Sequence, residues 1–282
     1  MIRRYVEADI PRAAECDLRR RGLDSALRRA PKLFGELGIN SPGHWYGNYP
    51  WTNDAAVTNA WISDPKYLVA GTGIATWHPA KGAIDAIQAT GSAQPAFGGI
   101  GKGKRTAPLF NGTAQLLTAD SLAAVASGSD IAFSLTVAVS FPTVGGTRNF
   151  LGFGGSSSVG PWHVVRLNTS NHFEVTRRDT GTGNITATAT TVTAVVNTTY
   201  VLTQLFTGTA VTLRINGATT DVSGTAFDVA SQSFTAFTLG GWRSTVTPFF
   251  SNIAIRAFVF GTGVWGSSTY LPIETFLMAD AA

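Results

Sequence analysis

Eight stretches between residues 131 and 260 alternate apolar and polar side chains with a period of two, and no helical periodicity lies among them. The clearest is IAFSLTVAVSF (131–141), with Ile131, Phe133, Leu135, Val137, Val139 and Phe141 on one side and Ala, Ser and Thr on the other. Successive strand residues point to opposite faces, so this run predicts a strand with one face in a core. HVVRL (163–167), HFEVTRR (172–178), NITATATTVT (184–193), TYVLTQLF (199–206), AVTLRI (210–215), SFTAFTLGG (233–241) and NIAIRAFVF (252–260) follow, parted by Gly, Asn, Ser and Thr. Within VTLRINGATTDV (211–222) the Asn216-Gly217 pair marks a hairpin, since both residues tolerate the positive φ of a tight turn that matches strand twist. Many short strands without intervening helices predict a mainly β chain, an antiparallel two-sheet sandwich. The closing LPIETFLMADAA (271–282) predicts one short helix.

Charge divides the chain differently. Residues 1–40 hold 15 of the 38 Asp, Glu, Lys and Arg residues. Val6, Ile10, Ala14 and Leu18 recur every four residues, and Leu23, Ala26, Leu27 and Ala30 form a second short face ended by Pro31. The segment reads as a charged helical arm carrying Arg3, Arg4, Arg12, Arg19, Arg20, Arg21, Arg28 and Arg29. It is either a solvated helical hairpin or an anchor whose guanidinium forks pair with carboxylates of another protein. Six acidic residues in the same segment would repel phosphate and speak against a nucleic-acid arm, despite a net charge of +4.

Residues 41–106 are rich in Trp, Gly and Pro and predict irregular structure leading into the sandwich, which the reading places at 107–282. Trp45, Trp51, Trp61 and Trp77 fall here, and burial is the favoured reading of such large rings, exposure to sugar the other. GGIGKGKRT (98–106) lacks the Ser or Thr after Lys and the following helix of a phosphate loop, and reads as a basic loop.

Residues able to do chemistry are few. The five glutamates are Glu7, Glu15, Glu36, Glu174 and Glu274. Glu174 stands in a strand, but the nearest acid, Asp179, is an odd number of residues away and would face the opposite side, so no glucanase-type carboxylate pair forms. His44, His78, His163 and His172 have no metal-type spacing, and Cys16 is the sole cysteine, which excludes an internal disulfide and a cysteine-rich zinc site. These observations predict no enzyme, no cofactor and no metal.

GIATWHPAKGAIDAIQATGSAQPAF (73–97) followed by APLFNGTAQLLTADSL (107–122) resembles the opening of a concanavalin A-like, LamG-type jelly roll, in the version found in virion proteins of tailed bacteriophages. Trp77, Ala86, Gln88, Ala89, Pro95, Phe97, Phe110, Asn111 and Gly112 occupy that pattern, and Ile273, Glu274 and Leu277 resemble its closing helix. The family's usual F-D-G-x-x-D turn is FNGTAQ here, which removes carboxylates that calcium prefers. The resemblance implies a bacteriophage virion structural protein, a capsid decoration or cement protein or a tail- or collar-associated one. It would dock through the arm onto other virion proteins, as a homo-oligomer or singly, without nucleic acid or membrane. The N-terminus lacks the apolar core of a signal peptide, so the expected location is a virion assembled in the host cytoplasm. The alternative is a lectin-like glycan-binding, receptor-recognition module of a virion or cell-surface protein, for which Trp162, Trp242, Arg243 and Trp265 are the candidate contacts, each tryptophan flanked by Gly or Pro.

Overall fold

The computed structural model describes residues 49–98, 107–129, 131–155, 161–178, 184–223, 231–243 and 248–281. The chain divides into two compact units, Met1–Thr52 and Asn53–Ala282. In the first, Tyr49 and Trp51 stack with ring centroids 5.1 Å apart. The arm arginines Arg3, Arg4, Arg12, Arg19, Arg20, Arg21, Arg28 and Arg29, and Cys16, lie outside the described residues.

The second unit is built of antiparallel strands. They are β1 (Val57–Ile62), β2 (Leu68–Ala70), β3 (Ile74–Trp77), β4 (Ala86–Ile87), β5 (Ala96–Gly98), β6 (Ala107–Asn111), β7 (Leu117–Thr118), β8 (Phe133–Ser140), β9 (Arg148–Gly154) and β10 (Trp162–Leu167). There follow β11 (His172–Arg178), β12 (Ile185–Thr193), β13 (Thr199–Phe206), β14 (Val211–Ile215), β15 (Ala218–Ser223), β16 (Ala236–Leu239), β17 (Gly241–Arg243), β18 (Pro248–Phe250) and β19 (Asn252–Thr262). Helix α1 (Ser121–Val125) follows β7, and α2 (Ser267–Ala281) follows β19. One eight-stranded sheet runs β15-β14-β13-β8-β19-β6-β5, with β1 also paired to β19. A nine-stranded sheet runs β12-β11-β10-β9-β16-β7-β4-β3-β2. The pair β17-β18 stands apart from both.

The period-2 pattern sets which face meets the core. Phe133, Leu135, Val137 and Val139 of β8 join Leu202 and Phe206 of β13, Ile255, Phe258 and Phe260 of β19, and Phe153, Val165, Phe173 and Val175 from the other sheet in one cluster. Phe133 is a hub, 5.4 Å from Phe153 and 5.1 Å from Phe206 by ring centroid. Both sheets therefore contribute inward residues to one interleaved layer, as in stacked sheets. Trp61 and Trp77 are fully buried; Trp61 stacks on Phe258 and Trp77 Nε1 donates to the Ile62 carbonyl. The Asn216-Gly217 hairpin forms with φ of 50° and 81°, joining β14 to β15, and Asn216 Oδ1 accepts from the Val201 amide.

Three departures from the pattern have physical causes. The 53–98 segment supplies five strands, none longer than six residues, to both sheets. The outward face of β8 is not solvated: Ser134, Thr136, Ala138 and Ser140 are buried, and their small size gives room for cover. Thr136 Oγ1 and Thr203 Oγ1 satisfy each other at 2.9 Å, and Ser134 Oγ donates to the Gly263 carbonyl. Helix α2 starts four residues ahead of the expected 271 and runs through Pro272. It is fixed by Arg214, whose Nε and Nη2 each lie 2.9 Å from an oxygen of the buried Glu274, and whose guanidinium sits over the Tyr270 ring. The hydrogen bond to Glu274 holds the Arg214 pKa above its ordinary value, against the opposing effect of burial.

Candidate functional site

The run expected as one strand at 233–241 breaks at Gly240, whose φ is +88°. A Cβ there would come 2.1 Å from the Phe110 ring, so only glycine fits. The break ends β16 and sends β17 over the outer face of the nine-stranded sheet. Gly152 and Gly154 of β9 leave the space it occupies. A Cβ on Gly152 would stand 2.7 Å from Trp242 Cδ1, and one on Gly154 2.2 Å from the Arg243 carbonyl oxygen. Trp242 thus lies flat on glycine backbone, 7% exposed.

Around this ring an aromatic and basic cluster assembles. Trp162, half-buried at the start of β10, meets Trp242 edge-on with centroids 4.9 Å apart. Phe249 of β18 pairs in register with Trp242, stacks on it at 5.0 Å and 16°, and is 47% exposed. Arg178, in register with Trp162 on the neighbouring strand, places its guanidinium 5.0 Å from the Trp162 ring centre. On the far side, Arg243 Nη2 donates to Asp120 Oδ2 at 2.7 Å, while Asp120 Oδ1 accepts from the Phe237 amide. Further along the same two strands Arg166 donates through Nε to Glu174 Oε1, and Asn168 Nδ2 donates to Glu174 Oε2 at 3.1 Å.

Of the four glycan-contact candidates, Trp162, Trp242 and Arg243 come together. Trp265 does not: it is buried, and its Nε1 donates 3.2 Å to the Ala56 carbonyl. Trp242 is the keystone of the cluster, and Phe249 supplies the exposed ring. Phe249 and Arg178 were not among the sequence candidates. Arg178 was legible in principle, since β10 and β11 are consecutive strands joined by a short turn, whereas Phe249 depends on a hairpin that the Gly240 break creates.

The remaining candidate chemistry is engaged elsewhere. Asn111 Oδ1 accepts from the amides of Thr113 and Ala114, forming a turn. His78 Nδ1 lies 2.7 Å from Asp85 Oδ1 at the surface. His163 is wholly buried between the sheets, ringed by Phe133, Phe153 and Phe206, with Nε2 2.8 Å from Gln204 Nε2 and 3.2 Å from its Oε1. No partner is found for Nδ1 among the described residues. Burial, and then the charge of the nearby Arg177, lower the His163 pKa from 6.5 to about 3. Among the described residues no three His, Cys, Asp or Glu gather into a metal-binding group.

No protein-family model and no curated protein matches the chain. Solved structures do. Trypanosoma rangeli sialidase in complex with 2,3-difluoro-KDN aligns with a TM-score of 0.54 at 16% identity, over 80% of this chain and 33% of that one. The same enzyme in complex with sialic acid aligns at 0.53 and 14% identity, over the same shares. The chain therefore spans about a third of the length of the solved structures it matches. The likeness is one of fold: a mainly β chain of antiparallel sheets arranged as a sandwich. It overturns the expectation of a protein with no enzymatic character. That expectation rested on a missing glucanase carboxylate pair, which tests one hydrolase chemistry, whereas the solved structures of like fold are sialidases. At such identity no catalytic residue carries over.

Proposed function

We propose that the sandwich is a carbohydrate-recognition module of concanavalin A-like, jelly-roll type, and that it takes glycan at the Trp162–Trp242–Phe249 cluster. The observation that carries this reading is the stacked Trp242–Phe249 pair held off the sheet on glycine backbone, with one ring buried and its partner open to solvent. Sugar rings present C–H faces that pack on aromatic rings, and their hydroxyls need nearby donors and acceptors. Arg178, Arg243 and Asp120 supply those at the rim. The sialic acid complex of a protein of like fold adds a glycan-handling context. The test is titration of the full chain with a panel of oligosaccharides, read by tryptophan fluorescence and by NMR. Saturable binding that Phe249→Ala and Trp162→Ala abolish is the expected result. Binding that survives both substitutions removes the site, and no binding across the panel removes the reading.

A second reading concerns how the module is carried. The concentration of charge in residues 1–40 and the division of the chain at Thr52 favour display on a larger assembly through the N-terminal unit. In the form suggested by the family resemblance, the assembly is a bacteriophage virion and the arm arginines are the contacts. Replacing Arg19, Arg20, Arg21, Arg28 and Arg29 with Glu in the full chain then abolishes co-sedimentation with virions while leaving the fold intact. Retained co-sedimentation rejects the arm as anchor.

A further inference from the structure

We propose that the cluster selects N-acetylated sugars, with the indole N–H of Trp242 as the donor to the acetamido carbonyl. This rests on the glycan-binding reading and adds the chemical class of the sugar to it. The evidence is the Trp242 nitrogen. The residue is 7% exposed, and its buried Nε1 has no hydrogen-bond partner among the described residues. A buried N–H without an acceptor weakens a fold, because it has given up water and gained nothing in exchange. Trp77 and Trp265, buried still more deeply, each give their Nε1 to a backbone carbonyl. Trp61 Nε1 also lacks a partner among the described residues, but that ring is sealed in the core against Phe258. Trp242 belongs to a cluster that reaches the surface through Phe249.

The place of the nitrogen sets what reaches it. A Cβ on Gly152 would stand 2.7 Å from Trp242 Cδ1 and one on Gly154 3.0 Å from Nε1, so this edge of the indole runs along β9. Gly154 pairs in register with Trp162, whose ring meets Trp242 edge-on. The N–H therefore lies on the Trp162 side of the cluster, and turning Trp162 aside opens it to a ligand resting against Phe249. An indole N–H is uncharged and donates only. A hydroxyl placed on it brings a proton that needs an acceptor in turn, whereas an amide carbonyl brings none. The acetamido group of a sugar joins such a carbonyl to a methyl group, and the methyl packs on the surrounding rings.

The experiment compares methyl N-acetylglucosaminide with methyl glucoside on the full chain, by titration calorimetry and by NMR of the indole N–H groups. The Trp242 signal is assigned by its loss in Trp242→Phe. The methyl ester of methyl sialoside, uncharged like the other two, distinguishes a sialate from a hexosamine source of the same acetamido group. The expected result is about ten-fold tighter binding of at least one acetamido sugar than of the glucoside, with the Trp242 N–H signal moving downfield as that sugar saturates. Benzothienylalanine in place of Trp242 keeps the fused ring and puts sulfur where the N–H was. It should erase the preference, leave glucoside binding in place, and leave the urea midpoint of the free protein unchanged or higher. Equal binding of the glucoside and both acetamido sugars overturns the inference and leaves the glycan reading standing. A preference that survives the sulfur analogue, or a Trp242 signal unmoved at saturation, also overturns it. A lower urea midpoint for the analogue shows the N–H already bonded in the free protein and overturns it as well. No sugar binding in the native protein takes both down.

Discussion

Acidification gives the sharpest test of the interior. His163 is enclosed by Phe133, Phe153 and Phe206, with Gln204 at Nε2 and Arg177 as the nearby charge. Its pKa falls from 6.5 to about 3 in the folded chain, burial being the larger cause and Arg177 the next. A base whose folded pKa is depressed takes up its proton more readily when unfolded. Between about pH 3 and 6.5 the unfolded state therefore binds more protons, and stability falls as pH drops through that window. From pH 7 to pH 5 the loss is about 2 kcal/mol, and it reaches about 5 kcal/mol once both states are protonated. With a urea m-value of about 3 kcal/mol/M, the first step moves the unfolding midpoint by about 0.7 M. The assay is urea denaturation at pH 7, 6 and 5 for the native protein and for His163→Leu. The leucine variant loses the Gln204 contact, a cost that does not change with pH, and should lack this part of the slope. Equal slopes in the two proteins would refute the assignment of the proton to His163.

Other expectations follow from particular contacts. Arg214→Ala leaves Glu274 buried without its cation and should cost about 3–5 kcal/mol, while the double replacement Arg214→Met with Glu274→Leu recovers much of it, both read by chemical denaturation. Gly152→Ala places a methyl group against the Trp242 ring and should shift that residue's fluorescence and weaken sugar binding, although it alters no exposed side chain. Asn216→Ala loses both a residue that tolerates positive φ and the acceptor for the Val201 amide, so about 1–2 kcal/mol of stability should disappear.

The sheets were legible because alternation is a local signal. Each residue's side of the strand follows from its neighbours, and the runs at 131–141, 163–167, 172–178 and 199–206 fell within a residue or two of β8, β10, β11 and β13. The cover on β8 was not legible: Ser134, Thr136 and Ser140 stand on the side opposite the apolar run, yet they are buried, and only the tertiary arrangement supplies Ser134 and Thr136 with the groups they bond. The break at Gly240 was equally hidden, because a glycine inside an apolar run looks the same whether the strand continues or turns. The candidate site inherits that difficulty. Trp162, Trp242 and Arg243 could be named from their flanking residues, but Trp265 has the same kind of flanks and a structural task. The deciding quantity was the space left by Gly152 and Gly154, which belong to a strand some ninety positions earlier than Trp242.

The position of β19 has a consequence for biosynthesis. This strand is interior to its sheet, flanked by β8 on one side and by β6 and β1 on the other. Thr58 in β1 waits for Phe260, 202 positions later, before its hydroxyl finds the carbonyl it binds. At about 5–20 residues per second, synthesis of that interval takes roughly 10–40 s. Until β19 is made, β8, β13, β14 and β15 can pair among themselves and β5 with β6, but β1, β6 and β8 each lack the neighbour that joins them into one sheet. A chain with this topology depends on being shielded during translation, and slowing the ribosome between codons 141 and 252 should raise the aggregated fraction, whereas slowing it after codon 262 should not.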